Sequence, residues 1–282
     1  MKIGISGASG HLGRAVVAEL VDRAGRHDIV AISRTPASSR AGVEARAGDY
    51  DKPETLEAAY QGLDRLLLIP SAELRPGVRG RQISAAVDAA VKAGVSHVYL
   101  ISATGTHEEA APAIGEPYWT SEQYLIRHAP RWTIIRMNYY IETIIDEMKN
   151  AVAQGVVAGL GDERVAFVSR DDLAAATAGA LATEGHAGWI YNITGPEVLS
   201  GEDRAAALSD VIGKSIPFAV ITEDVLRGGL QQAGLPDFVV DAVADIKRDF
   251  LTGKYDIITT DVERLSGRKP TTLRNFLAEA LK

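Results

Sequence analysis

The chain contains no cysteine among its 282 residues. Disulfide frameworks, thiolate metal sites and cysteine nucleophiles are therefore excluded. The sequence also lacks an apolar run of the roughly 20 residues that a membrane-spanning helix requires. Its first residues, Met-Lys-Ile-Gly-Ile, lack the apolar core and cleavage site of a secretory signal. These absences predict a cytoplasmic protein without a membrane span.

Basic residues are in the minority, with 30 Lys and Arg against 37 Asp and Glu and a formal net charge of −7. A general nucleic-acid-binding surface needs an excess of Lys and Arg, so no nucleic-acid partner is expected. No residue pattern predicts a metal site. The remaining expectation is a monomer or homodimer that acts on a small molecule.

Short apolar runs alternate with helical patterns through the first half of the chain. The runs are apolar on both faces, as in parallel strands that helices cover from both sides. The predicted strands are Lys2–Ser6, Ile29–Ser33, Val43–Arg46, Leu66–Ile69, Val98–Ser102 and Thr133–Met137. This alternation predicts an α/β fold of Rossmann type with a doubly wound parallel sheet.

From about residue 138 the alternation weakens, and helical patterns dominate. The predicted elements there are a helix at Tyr140–Gln154, a strand at Val165–Val168, a helix at Asp171–Thr183 and a strand at Trp189–Ile193. We therefore expect a dinucleotide-binding domain over residues 1–136. A smaller, mainly helical substrate lobe is expected over 137–282, with strands at about 165–193 returning to the main sheet.

Three glycines separate the first strand from the first helix at the spacing Gly-x-x-Gly-x-x-Gly. Gly7 permits a tight turn, Gly10 lets a pyrophosphate approach the backbone, and Gly13 lets the helix pack closely on the strand. Free N–H groups and the positive end of the helix dipole then bind the pyrophosphate. The alternative is a tight turn without a ligand. The predicted cofactor-binding residues in this loop are Gly7, Ser9, Gly10, His11, Leu12 and Gly13.

The end of the second strand indicates which dinucleotide binds. An NAD-specific site places Asp or Glu there for the ribose 2′-hydroxyl, but this chain has Arg34, with Arg40 soon after. A guanidinium suits a 2′-phosphate, since it binds phosphate through two hydrogen bonds and stacks on adenine. Arg14 is a further candidate for this role. We therefore predict that NADP(H) is preferred over NAD(H), the alternative being that Arg34 is a solvated surface arginine.

Polar and small residues follow the other strands at the edge where ligands bind in open α/β sheets. Asp49 and Tyr50 are predicted to contact the adenine, although Asp49 also suits a helix N-cap. The predicted neighbours of the nicotinamide are Ile69, Pro70, Ser71, Ser102 and Ala103. The predicted substrate residues are Ser71, Thr104, Tyr139 and Tyr140, the two tyrosines being equally suited to packing between the lobes.

Several motifs together resemble a known family. They are Ser6–Gly13, Ser33–Pro36, Gly48–Tyr50, Leu66–Ser71, Arg136–Glu142, Ser169–Ala174 and Gly234–Asp237. In these motifs the chain is similar to the atypical short-chain dehydrogenases of the NmrA-like family, especially the branch of type 2 quinone oxidoreductases and triphenylmethane reductases. The resemblance implies NADPH binding, a substrate cleft between two lobes, and reduction of quinones or similar electron-poor acceptors. The same family also contains redox-sensing regulators that bind the cofactor without turnover, which is the alternative function.

Typical short-chain dehydrogenases use Tyr-x-x-x-Lys, in which the lysine lowers the tyrosine pKa for proton transfer. Here Tyr118 is followed by Glu122 in the lysine position, and no lysine occurs between Lys92 and Lys149. Tyr118 remains the candidate catalytic residue. Glu122 and Glu142 are expected to be solvated helix carboxylates or, alternatively, members of a network near the cleft.

The missing lysine limits the acceptor. Reduction of a ketone forms an alkoxide whose conjugate acid has a pKa of roughly 16, similar to water. Reduction of a quinone forms a phenolate-like anion whose conjugate acid has a pKa of about 10, by analogy with tyrosine. Such an anion needs no strong proton donor. The sequence therefore predicts hydride transfer to a quinone or another conjugated, electron-poor acceptor.

Overall fold

A computed structural model describes residues 1–23, 27–36, 42–109 and 114–282. The strands are β1 (Lys2–Ser6), β2 (Asp28–Ser33), β3 (Val43–Ala47), β4 (Arg65–Leu68), β5 (His97–Ala103), β6 (Trp132–Met137), β7 (Val157–Gly159), β8 (Trp189–Ile193) and β9 (Phe218–Val220). The α-helices are α1 (His11–Asp22), α2 (Leu56–Tyr60), α3 (Val78–Lys92), α4 (Glu116–His128), α5 (Ile145–Gln154), α6 (Arg170–Ala182), α7 (Gly201–Ile212), α8 (Glu223–Gln232), α9 (Asp237–Leu251), α10 (Asp261–Ser266) and α11 (Leu273–Ala280), with short 3₁₀ turns at Pro53–Thr55 and Ile141–Ile144.

The main sheet has seven parallel strands in the order β3-β2-β1-β4-β5-β6-β8. The six strands predicted in the first half are present, with ends shifted by at most one residue. Chain order reverses between β1 and β4, and in such sheets ligands bind beside the strand ends at that point. The predicted fold class, a doubly wound α/β sheet, is confirmed.

Helices cover both faces of this sheet, which explains why its inner strands, such as β1, β4 and β5, are mostly apolar and buried. On β5, Tyr99 and Ile101 face the core beneath α1 and α6, while Val98 and Leu100 face the core beneath α2, α3 and α4. All four side chains are almost completely buried. The two cores fix the strand ends relative to the helix starts, so the loops between them form one edge of the molecule.

The C-terminal half contributes to the main sheet and also builds its own core. β8 pairs with β6, whereas β7 and β9 form a separate two-stranded parallel sheet. Buried apolar residues of α5, α7, α9 and α11 form a third cluster. The boundary between two domains at residue 136 stays a prediction. β8 follows this boundary in the sequence but is part of the main sheet.

The strand predicted at Val165–Val168 is wrong. This segment makes only isolated bridges within the described residues, because its backbone groups bond in turn to different segments. The Val165 N–H donates to the Leu199 carbonyl, the Ala166 N–H to the Tyr255 carbonyl, and the Val168 N–H to the Tyr139 carbonyl. The segment therefore ties three parts of the chain together instead of joining a ladder.

Three buried charged residues of the C-terminal half, Glu163, Arg204 and Lys247, form ion pairs. The Arg204 side chain is buried and donates to Glu163, which is also buried, and Lys247 Nζ lies 3.1 Å from Glu147 Oε2. Such pairs offset the cost of removing the charges from water. Within the ranges described above, no helix is long and apolar enough to cross a bilayer.

Candidate active site

The loop after β1 leads directly into α1 and is fixed by the neighbouring strand. Gly7 has φ of +91°, a conformation that favours glycine. The N–H groups of Gly7 and Ala8 both donate to the Ile32 carbonyl, at 3.0 and 3.1 Å. The loop is therefore tied to the end of β2, where Arg34 follows.

The N-terminus of α1 presents backbone donors to this loop. Gly10 is the N-cap and supplies no side-chain cap, and the first backbone bond of the helix runs from the Arg14 N–H to the Gly10 carbonyl. The N–H groups of His11, Leu12 and Gly13 precede that bond, so they are free to bind an anion.

Glycine is needed at positions 13 and 10 for different reasons. A Cβ on Gly13 would lie 2.3 Å from the Gly7 carbonyl oxygen and 2.7 Å from Ala8 Cα, whereas a Cβ on Gly10 would lie 3.4 Å from the same oxygen. Gly13 therefore permits the packing of helix on loop. Gly10 leaves open the space in front of the helix, as expected for a cofactor phosphate.

Arg34 directly follows β2 and lines the cleft at that strand's end. Its side chain is exposed, and no hydrogen bond or ion pair within the described residues engages its guanidinium. Arg14 instead donates to the Ser9 carbonyl and lies 3.4 Å from His11 Nδ1. Arg40 lies outside the described residues.

A chain of hydrogen bonds links the ends of β3 and β4 through α3. Ser71 Oγ donates to Gln82 Oε1 (2.6 Å), and Gln82 Nε2 donates to Asp51 Oδ1 (2.7 Å). The Asp51 N–H in turn donates to Asp49 Oδ1 (3.0 Å). Asp49 therefore orders the turn that follows it while lining the cleft, and Gln82 holds both walls at a fixed separation.

Tyr118, near the start of α4, faces the cleft from one side of the sheet. The guanidinium carbon of Arg79 lies 5.2 Å from the centroid of the Tyr118 ring, in cation–π geometry. Glu122, in the lysine position of the short-chain dehydrogenase motif, is 1% exposed and binds Arg136 at 2.8 and 2.6 Å. The expectation that Glu122 is a solvated carboxylate is wrong, because this two-pronged ion pair fixes α4 to β6.

Tyr140, just after β6, faces the cleft from the opposite side. The guanidinium carbon of Arg170, the first residue of α6, lies 5.2 Å from the Tyr140 ring centroid. Burial and the neighbouring Tyr118 raise the pKa of Tyr140 above its ordinary value, so its hydroxyl stays protonated. Glu142 accepts a hydrogen bond from the Arg170 N–H (2.8 Å), so it is not the freely solvated carboxylate expected.

These groups line one cleft of about 810 Å³ along the carboxyl edge of the sheet. The structure brings together fourteen of the predicted site residues there: Gly7, Ser9, Gly10, His11, Leu12, Gly13, Arg34, Asp49, Tyr50, Ile69, Pro70, Ser71, Tyr118 and Tyr140. The individual roles assigned to them stay predictions.

Four of the predicted site residues do not line this cleft: Ser102, Ala103, Thr104 and Tyr139. β5 and β6 stay paired as far as Ala103 and Met137, and the Thr104 N–H continues the ladder to the Met137 carbonyl (2.9 Å). Ser102 and Thr104 are consequently buried beneath the strand ends. Tyr139 packs among three aromatic rings instead of reaching the cleft: Phe167, Phe250 and Tyr255.

The cleft also contains residues that were not predicted from the sequence. Arg79, Gln82 and Arg170 come from helix starts, and Phe238, 59% exposed, comes from α9 far along the chain. Arg170 lies in a motif that carries the family resemblance, but nothing in the local sequence separates it from a surface arginine. Among the described residues, no group of three or more His, Cys, Asp or Glu side chains is arranged to bind a metal ion.

A family model described as NAD(P)H-binding matches residues 7–184, from the glycine loop to just beyond α6. The chain belongs to this NAD(P)H-binding family. Quinone oxidoreductase 2 of Escherichia coli (strain K12) is 31% identical to it over 277 residues, which is 96% of each protein.

Solved structures agree with this assignment. An NADPH-dependent quinone oxidoreductase from Escherichia coli, solved with NADPH, has a TM-score of 0.92 and 29% identity, covering 99% of this chain and 100% of that one. Triphenylmethane reductase of Citrobacter sp., solved with NADP(H), has a TM-score of 0.90 and 27% identity, covering 99% of each chain. The family resemblance inferred from the motifs is confirmed, and this NAD(P)H-binding chain is an oxidoreductase.

Proposed function

We propose that this chain transfers a hydride from NADPH to a quinone or a similar conjugated, electron-poor acceptor, without a Tyr-Lys catalytic pair. One observation carries the proposal. A single cleft joins the glycine loop, the unengaged Arg34 at one end and the tyrosines Tyr118 and Tyr140 at the other. A dinucleotide and a planar acceptor could therefore bind next to each other in this cleft.

The cofactor end fits NADPH better than NADH. The N–H groups at the start of α1 suit the pyrophosphate, and the space in front of Gly10 is open. Arg34 has neither a hydrogen bond nor an ion pair in the described parts of the chain, so its guanidinium is available for the 2′-phosphate. No acidic residue stands at the end of β2 to prefer a free 2′-hydroxyl. The complexes of the two similar reductases, one with NADPH and the other with NADP(H), support the same assignment.

The acceptor end positions a flat molecule and contains no lysine next to its tyrosine. When bound, NADPH supplies the hydride. Tyr118 and Tyr140 offer aromatic surface for a planar acceptor, and close positioning of the reactants lowers the barrier. A quinone that gains a hydride, with its two electrons, becomes the hydroquinone monoanion, and a single proton from water then completes the hydroquinone. Ketone reduction would need a stronger proton donor beside the carbonyl oxygen, and Glu122, the residue in the lysine position, is held by Arg136. The quinone-reductase name of the E. coli relative is in accord with this choice.

The proposal is tested by following NADPH absorbance with a soluble benzoquinone in the absence of oxygen. We expect saturable, quinone-dependent oxidation of NADPH, and much slower turnover at equal concentrations of NADH. Gly10→Trp is the matched negative control, because an indole in front of the α1 N-terminus should block the cofactor without touching the tyrosines.

Binding and turnover must be measured on the same preparation. Tight NADPH binding without quinone-dependent oxidation would contradict the proposed activity. That outcome would favour the alternative, a redox-sensing regulatory protein that binds the cofactor without turnover.

A further inference from the structure

Arg79 is a buried cation without a counter-ion among the described residues. Its residue is 7% exposed, and its Nε is buried without a hydrogen-bond acceptor in the described parts of the chain. Its guanidinium contacts the Tyr118 ring, and both side chains line the cleft. Burying an unpaired charge is costly, so a position of this kind is best explained by a negative group that binds there.

The other two arginines that are buried in the described ranges do have hydrogen-bond acceptors. Arg65 donates to the Leu181 carbonyl and to Glu184, and Arg204 binds Glu163. Each of these two guanidinium groups has protein acceptors and serves to hold elements together. Arg79 has none among the described residues, which separates it from this structural pattern.

Arg170 repeats the arrangement from the opposite side of the sheet. Its guanidinium lies over the Tyr140 ring and lines the same cleft. Glu142 is beside it, but that carboxylate accepts from the Arg170 backbone N–H and makes no ion pair with the guanidinium. Arg79 and Tyr118 come from α3 and α4, whereas Tyr140 packs against the core beneath α1 and α6. The cleft thus has two arginine–tyrosine pairs on facing walls.

None of the acidic residues that line the cleft forms an ion pair with Arg79 or Arg170. Asp49 accepts from the Asp51 N–H, Asp51 accepts from Gln82, and Glu73 binds Arg75. The cofactor phosphates already have the α1 N-terminus and Arg34 at the other end of the cleft. Positive charge at the tyrosines therefore points to the second ligand.

We propose that Arg79 and Arg170 form an anion subsite, and that the preferred acceptor is a planar aromatic molecule carrying a carboxylate, sulfonate or phosphate group. The aromatic ring lies against Tyr118 and Tyr140, and the anionic group binds the two guanidinium groups. Because this names the substrate class, it rests on the proposed reductase function.

The test compares two acceptors on the same ring, a naphthoquinone sulfonate and the uncharged methyl naphthoquinone, with NADPH saturating. The unmodified protein should show a higher kcat/KM for the sulfonate. Arg79→Gln and Arg170→Gln should each reduce the sulfonate-to-methyl ratio by roughly tenfold to a hundredfold, the effect of losing one charge-assisted contact. The two acceptors differ in reduction potential by the same amount for every variant, so this difference cancels when the ratio is compared between the variants and the unmodified protein. Arg79→Lys should retain part of the preference, and Arg81→Gln, an exposed arginine on the same helix, should leave it unchanged.

A binding measurement separates failure of this inference from failure of the reductase proposal. Calorimetry on the cofactor-free protein compares naphthalene sulfonate with naphthalene methanol, neither of which is reduced. Tighter binding of the sulfonate, lost in Arg79→Gln and Arg170→Gln, would support the subsite even if no quinone were turned over. Equal binding of the two compounds would overturn it even if quinones were reduced.

Two further readouts exclude other roles for the arginines. The Kd for NADPH should be the same in all variants, and a loss of NADPH affinity as large as the loss of sulfonate preference would show that the arginines bind the cofactor instead. Arg79→Gln should be at least as resistant to thermal unfolding as the unmodified protein, since it removes an unpaired buried charge. A lower Tm for Arg79→Gln, restored in Arg79→Lys, would show that Arg79 is structural.

Discussion

Replacing Gly13 by alanine should disrupt the start of α1, because a methyl group there has no room. Its Cβ would lie 2.3 Å from the Gly7 carbonyl oxygen and 2.7 Å from Ala8 Cα, whereas ordinary contacts begin at 3.4 Å. Both obstacles are backbone atoms, so the helix must move away from the loop by about 1 Å. Overpacking typically costs about 1–3 kcal/mol, and a backbone obstacle places this substitution near 3 kcal/mol.

Gly10→Ala is the matched control on the same loop. Gly10 has φ of −73° and ψ of 168°, which alanine adopts without strain, and its Cβ would lie 3.4 Å from the nearest atom. The change in the free energy of unfolding should stay within about 1 kcal/mol, as for exchanges between small residues at an N-cap. The methyl group nevertheless enters the space assigned to the pyrophosphate, so NADPH binding should weaken by about tenfold or more.

Thermal unfolding and calorimetry distinguish the two variants. For a chain of this size 1 kcal/mol corresponds to about 2–4 °C in Tm, so Gly13→Ala should lower Tm by roughly 6–12 °C. Gly10→Ala should leave Tm nearly unchanged while losing NADPH affinity. A Gly13→Ala protein with unchanged Tm, or a Gly10→Ala protein with unchanged NADPH affinity, would refute the assignment of the glycines.

Three further predictions concern cofactor choice, proton transfer and pH. Arg34→Ala should weaken NADPH binding by about 1.5–3 kcal/mol, the loss of one charged contact, while leaving NADH binding unchanged in calorimetry; equal affinity of the unmodified protein for both cofactors would contradict this. Tyr118→Phe should retain quinone reduction within about tenfold, and a loss of roughly 100- to 10,000-fold would show instead that Tyr118 is a general acid. Burial and the nearby charges of Arg65 and Arg131 lower the pKa of His97 from 6.5 to about 4. Between pH 6.5 and pH 4, His97 is therefore protonated in the unfolded chain but neutral in the folded one. Stability in urea should therefore decline from pH 6.5 to pH 4, and His97→Gln should remove part of that decline; an unchanged decline in the variant would assign the effect to other groups.

The fold and the turn of the glycine loop were predictable because their signals are local. A strand such as β4 is four consecutive buried residues, and the glycine spacing of the loop is contained in seven residues, Gly7–Gly13. The turn and the close packing of helix on loop follow from the steric properties of glycine at positions 7 and 13. No distant contact is needed to infer them.

The surroundings of Tyr139, Tyr140 and Glu122 were predicted less well because they depend on contacts between distant segments. Tyr139 and Tyr140 are neighbours in sequence, yet Tyr139 packs among aromatic rings and Tyr140 lines the cleft. This difference depends on where the C-terminal half places its aromatic side chains, such as Phe250. The ion pair that buries Glu122 involves Arg136 on another element. Arg79 resembles any helix arginine until the absence of an acceptor among the described residues distinguishes it.

Hydride transfer from NADPH to a quinone can be measured with NADPH that carries deuterium at C4 of the nicotinamide, on one face or on the other. We expect quinone-dependent loss of NADPH absorbance in a single turnover to be slower with deuterium on one face and unchanged with deuterium on the other. We expect the same difference in Tyr118→Phe, because the tyrosine hydroxyl takes no part in the hydride step. Absence of any quinone-dependent change, or equal rates for both labelled cofactors and unlabelled NADPH across all quinone concentrations, would contradict hydride transfer to the quinone.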